Sequence, residues 1–119
     1  MRFLCVYKPS KGEGCPPTEE EMTKMGQYIE ESMKSGILIA TEGCLPSALG
    51  ARVRRSKGEF NVIDGPFTES KELIGGFALI RANSKAEAIE IVKNFLNVAG
   101  DGETEIRQIY EAPDSTPTA

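Results

Sequence analysis

A chain of 119 residues with 39% hydrophobic and 27% charged side chains has room for one domain with a modest core, and a second independent domain does not fit. Its net charge of −4 argues against nucleic acid or an anionic membrane as a partner. Histidine is absent, which removes the commonest general base and the commonest transition-metal ligand, so acid–base chemistry would fall to Asp, Glu, Lys, Cys or Tyr.

Residues 2–7, RFLCVY, are aromatic, apolar or β-branched and predict a strand buried on both faces at the centre of its sheet. The run is too short for a membrane span of roughly 20 residues or for a signal-peptide core, and the expectation is a cytoplasmic protein with no membrane association. Cys5 lies in this strand as a core residue, while Cys15 and Cys44 fall in loops. An odd count without a C-x-x-C pair points to neither a disulfide framework nor a zinc site. Gly12 to Pro17 make a Gly/Pro-rich loop whose amides lack the lysine of a phosphate-binding loop, so no nucleotide is expected.

Thr18 and Glu21 then form a capping box that opens a helix. Met22, Met25, Ile29 and Met33 recur at helical spacing as a core-filling stripe, and Ser35-Gly36 supplies the stop. A second buried strand runs over residues 36–41, followed by the irregular stretch 42–47. Residues 51–55 and 59–63 predict a hairpin turning through Ser56-Lys57-Gly58, with glycine where a positive φ is wanted. Residues 77–82 form another strand. Ser84 and Glu87 repeat the capping pattern ahead of a helix with Ala88, Ile89, Val92 and Leu96 on one face, and residues 104–110 close the domain as a strand. Residues 112–119, APDSTPTA, lack core-forming side chains and are expected to be a disordered tail, leaving the domain at 1–111.

The order is strand, helix, strand, hairpin, strand, helix, strand. It predicts an α+β fold, a ferredoxin-like βαββαβ with an inserted β-hairpin, in which two helices cover one face of an antiparallel sheet. An apolar opposite face needs a cover, most simply a second copy, so a homodimer is expected.

Between the hairpin and the next strand stands DGPFTESKELIGGF, residues 64–77. With the βαββαβ order and a length near 120, this stretch makes the chain resemble the YCII-related family, in particular its DGPF-domain branch, over residues 1 to about 111. The resemblance implies a dimeric α+β barrel with two sheets packed face to face. It also implies a sigma factor as a partner, since some members lie beside or are fused to sigma factors of the extracytoplasmic-function type. The His-Asp pair proposed as catalytic in one branch of the family has no counterpart here.

Within the stretch, Asp64 can accept hydrogen bonds from downstream amides, Gly65 permits a positive φ and Pro66 fixes its own, which together specify a rigid turn. Gly65, Pro66, Phe67, Gly75 and Gly76 read as structural, with Phe67 plugging the core or an interface. Asp64 is the candidate catalytic residue, and Asp64 with Lys71, Arg52, Glu42 and Tyr7 are the candidate ligand-binding residues. Each has a bland counterpart: a salt bridge for Asp64 and Lys71, a solvated hairpin edge for Arg52, a loop carboxylate for Glu42, a core-edge hydroxyl for Tyr7. No cofactor or metal is implied. Two functions follow: a dimer binding a small polar or anionic metabolite near the turn, with weak acid–base activity, or a non-catalytic interaction module serving a transcription regulator.

Overall fold

The structure, a computed structural model, describes residues 1–11, 16–67 and 73–111. The element order is β1 (Arg2–Pro9), α1 (Glu19–Lys34), β2 (Leu38–Gly43), a 3-10 turn (Ser47–Leu49), β3 (Ala51–Ser56), β4 (Glu59–Asp64), β5 (Gly76–Arg81), α2 (Lys85–Ala99) and β6 (Gly102–Gln108). Four strands form an antiparallel sheet in the order β2-β5-β1-β6, while β3 and β4 pair as a separate two-stranded sheet. Removing the hairpin leaves the ferredoxin-like arrangement, with the first strand central as its apolar run requires. The predicted tail at 112–119, the loop at 12–15 and residues 68–72 lie outside the described residues.

Both helices start where local chemistry dictates. Thr18 Oγ1 accepts from the Glu21 amide at 3.0 Å and the Glu21 carboxylate accepts from the Thr18 amide at 2.8 Å, a complete capping box. At α2 the pattern is half of one. Ser84 Oγ accepts from the Glu87 amide, but the Glu87 carboxylate takes the Asn83 amide, one residue further out. The hairpin turns through Lys57 (φ 52°) and Gly58 (φ 82°), as the twist of a two-residue connection demands.

The core gathers on the helix side of the sheet: Phe3, Cys5, Leu38, Ile80 and Ala82 meet Ala88 and Val92 of α2, with Ile29 of α1 packed against them. Burial raises the Cys5 thiol pKa to about 11. By alternation Leu4 and Val6 point to the other side, where the register brings them beside Leu79 and Phe77. That side has no covering element among the described residues. No helix among them is long and apolar enough to cross a membrane.

Helix α1 departs from the expected core stripe. It buries no residue fully, and Met22 and Met33 are exposed. The radius of gyration, 16.4 Å, exceeds the roughly 13.5 Å of a compact chain this long. An apolar hairpin face consistent with that extended shape carries Val53, Phe60 and Val62 at 66%, 71% and 60% exposure.

Candidate functional site

Because α1 stands off the sheet, a cleft of about 480 Å³ opens between them. The floor is laid by Cys5 and Tyr7 of β1, Thr41 of β2, Ala78 of β5 and Thr104 of β6, with Phe95 and Val92 of α2 at the far wall. Met22, Met25 and Tyr28 of α1 form the near wall. Gly26 sits mid-helix on the cleft, and a Cβ built there meets nothing within 4 Å. A glycine inside a helix costs about 1 kcal/mol relative to alanine, and here it leaves room where a larger side chain would fill the gap.

Three aromatic rings meet at the cleft, one from each side. Tyr7 and Phe95 pack edge to face with centroids 5.2 Å apart, and Tyr28 leans towards Phe95 at 6.4 Å. Burial raises the pKa of Tyr7, with the Asp101 carboxylate adding to the effect. Burial also raises that of Tyr28, and a hydrogen bond with the Ser32 side chain partly offsets it. Both phenols are therefore neutral near neutral pH and serve as hydrogen-bonding groups.

The polar side chains of the cleft are mostly committed within the protein. The Tyr7 hydroxyl donates to the Asp101 carbonyl at 3.3 Å, and Thr41 Oγ1 donates to the Phe77 carbonyl at 2.8 Å. At the rim Lys11 pairs with Glu21 at 3.5 Å. The Glu21 carboxyl is held below its usual range, first by the Thr18 amide and then by Lys11. Thr104 is different: its Oγ1 is buried and has no partner among the described residues.

The residues singled out in the sequence divide into two places. Tyr7, Gly75 and Gly76 line the cleft, and Glu42 borders it through the edge of β2. The register pairs Glu42 with Phe77, so its side chain alternates away from the helix side that Thr41 faces. Asp64, Gly65, Pro66, Phe67 and Arg52 gather instead at the base of the hairpin and are not among the cleft lining. There the Phe67 amide donates to Ser47 Oγ at 2.9 Å, and the Arg52 guanidinium stacks over the Phe67 ring at 4.0 Å from its centroid. Asp64 is exposed. Lys71, its expected partner, lies outside the described residues.

Gly65 has no positive φ, contrary to the sequence expectation, and the peptide bond to Pro66 is cis. Its role is spatial: a Cβ there would overlap the Ser47 carbonyl, while the Gly65 amide donates to the Gly50 carbonyl at 3.0 Å. Gly76 is likewise fixed by space, since a Cβ would come within 2.7 Å of the Glu42 carbonyl oxygen. Sequence reasoning missed Gly26, Tyr28, Phe95 and Thr104 as cleft residues. A glycine between Met25 and Ile29 in an otherwise good helix was the available signal.

A model of the YCII-related domain matches residues 1–113 of the chain. An uncharacterized protein of Rhizobium meliloti (strain 1021) is 32% identical over 109 residues, covering 89% of this chain and 88% of its own. Among solved structures, 5-chloro-2-hydroxyhydroquinone dehydrochlorinase from Burkholderia phenoliruptrix AC1100, in complex with 2,5-dihydroxybenzoquinone, aligns with a TM-score of 0.46 and 19% identity, over 94% of this chain and 96% of its own.

Proposed function

The chain belongs to the YCII-related domain family, and on that footing we propose that it binds a small metabolite in the cleft beneath α1. The observation that carries the reading is the cleft itself. Its volume of about 480 Å³ falls within the range of small-molecule sites, and it pairs a mainly apolar lining with a few convergent hydroxyls. The geometry favours this place over the DGPF turn, where Asp64 is solvent-exposed and the neighbouring glycine and phenylalanine are occupied in holding the hairpin base. Acid–base chemistry in the cleft would fall to Tyr7, since the Glu42 side chain alternates away from that side of the sheet. Binding without turnover is the reading the geometry carries.

The test uses Gly26. Replacing it with leucine places a side chain in open space on the cleft wall and removes the helix penalty of glycine, so Gly26→Leu should fold at least as stably as the wild type. A thermal-shift screen of small metabolites on both proteins then separates the outcomes. Ligands that stabilise the wild type and leave Gly26→Leu unmoved support the cleft. A ligand that stabilises both equally, yet loses its effect in Asp64→Ala, moves the site back to the DGPF turn.

A second copy of the chain is proposed as the cover for the open sheet face. Half-buried Leu4, Val6 and Leu79 with Phe77 on that face, and the exposed Val53, Phe60 and Val62 of the hairpin, are apolar side chains that a second copy would cover. A solution mass of one chain would redirect these surfaces to a different protein partner, such as the regulator suggested by the family resemblance.

A further inference from the structure

Resting on the cleft reading above, we propose that the ligand is a flat ring with one apolar and one polar end, seated with the apolar end deep, and that Tyr28 selects the flat ring. The lining is graded along its length. Lys11, Glu21 and Glu42, the charged residues of the described lining, lie where β1 and β2 finish and α1 begins. At the opposite end of the strands the lining is apolar: Leu38 and Ile80 pair in register there, with Ile37 beside Leu38.

A polar group carried to the deep end finds little to bond. Tyr7 donates to the Asp101 carbonyl and Thr41 to the Phe77 carbonyl, while Tyr28 and Ser32 are bonded to each other. Thr104 Oγ1 is sealed within the floor and offers nothing to the space. An oxygen or nitrogen buried there gives up water without a replacement, whereas at the charged end it stays in reach of solvent. The flat shape follows from the rings. Tyr7 and Phe95 stand at 87° to one another and Tyr28 lies at 46° to Phe95, so the lining presents aromatic groups in several orientations. Met22 and Met25 add adaptable thioethers, which also pack well on aromatic rings. Tyr28 is the ring that α1 contributes, half-buried on the near wall. A saturated ring of the same outline carries more apolar surface, so burial alone would favour it. A preference for the flat ring therefore reports these aromatic contacts.

The experiment is a titration of isotopically methyl-labelled protein with para-methylbenzyl alcohol, with its ring-saturated analogue and with para-hydroxybenzyl alcohol. The last is polar at both ends and must bury one of them. Ile29, Ile80 and Val92 provide reporters in the cleft. Wild type is expected to bind para-methylbenzyl alcohol roughly two- to tenfold more tightly than the saturated analogue, the span of one aromatic contact. It should prefer it to para-hydroxybenzyl alcohol by about fivefold or more, the effect of one hydroxyl buried without a partner. Tyr28→Leu should lose the preference for the flat ring and Tyr28→Phe should keep it. A saturated analogue that binds wild type equally or more tightly overturns the flat ring, and a para-hydroxybenzyl alcohol that binds equally overturns the apolar deep end. Either result, with the cleft methyls shifting, leaves the cleft reading standing. Full preference retained in Tyr28→Leu overturns the role of Tyr28. Failure of all three probes to move any cleft methyl overturns the cleft and the ligand class together. Because both preferences are measured first in the wild type, a variant that fails to fold does not shield the proposal.

Discussion

A methyl group added at Gly65 would overlap the backbone of the 3-10 turn at Ser47, and one added at Gly76 would press on the Glu42 carbonyl. Both contacts are with backbone, which cannot swing aside as a side chain can. Gly65→Ala is therefore expected to cost about 1–3 kcal/mol through overpacking, read as a lower urea midpoint. Asp64→Ala, one residue away but exposed, should change stability by less than about 0.5 kcal/mol. The same two variants separate the roles within the DGPF turn: a large effect at Asp64 would mean that its carboxylate holds the loop. The glycine was legible in the sequence as a special position, but the reason was not, because overlap with a turn about 18 residues away leaves no local trace.

Helix α1 shows how far an element can be read from its own residues. Its start was fully legible, since Thr18 and Glu21 satisfy each other's amides without help from the rest of the protein. Thr18→Ala should cost about 1 kcal/mol. Its packing was not legible: the Met22, Met25, Ile29 and Met33 stripe has the spacing of a core face, yet the helix stands off the sheet and turns two of those methionines onto a cleft. Periodicity shows which side of a helix is apolar and is silent on how closely that side approaches its neighbour. The hairpin gives the complementary case. Its turn and pairing were predicted from Lys57-Gly58 and the flanking strands, whereas the exposure of Val53, Phe60 and Val62 appears only once β3 and β4 separate from the main sheet. If these side chains meet a second copy, the double variant Val53→Lys, Phe60→Lys should halve the mass measured by sedimentation and leave the monomer folded. An unchanged dimer mass would confine self-association to the open sheet face.

At the scale of the whole molecule, pH acts on stability from both sides. The carboxyls of Glu21, Glu105 and Glu111 are all held below their usual range, by the Thr18 amide, by Arg107 and by Arg2 respectively as first cause. The unfolded chain takes up protons at these sites before the folded one does, so their contribution is present above the ordinary carboxylate range and lost as pH falls through the folded values. None of the three is buried, so the acid limb should be shallow and weaken further with salt. On the alkaline side burial moves Cys5 from 9.0 to about 11. Its contribution is complete below 9.0 and disappears as pH rises to about 11, with Tyr7 and Tyr28 acting in the same direction at higher pH. Urea midpoints across this span should fall towards alkali in the wild type. In Cys5→Ala the thiol step should vanish, at the cost of a lower midpoint throughout.

The sequence by itself determined the order of elements, the central place of β1, both helix starts, the hairpin turn and the burial of Cys5. Each depends on interactions within a few residues or on the alternation of apolar side chains along one strand, and both are written directly in the chain. Tertiary structure alone decided that α1 stands off its sheet, that Gly26 lines the cleft with open space beside it, and that the Thr104 hydroxyl is buried beside Tyr7 without a partner among the described residues. Those facts depend on distances between segments far apart in sequence, where a difference of a few ångströms turns a packed core into a cleft. The candidate site lies there because a binding site is made where close packing stops short.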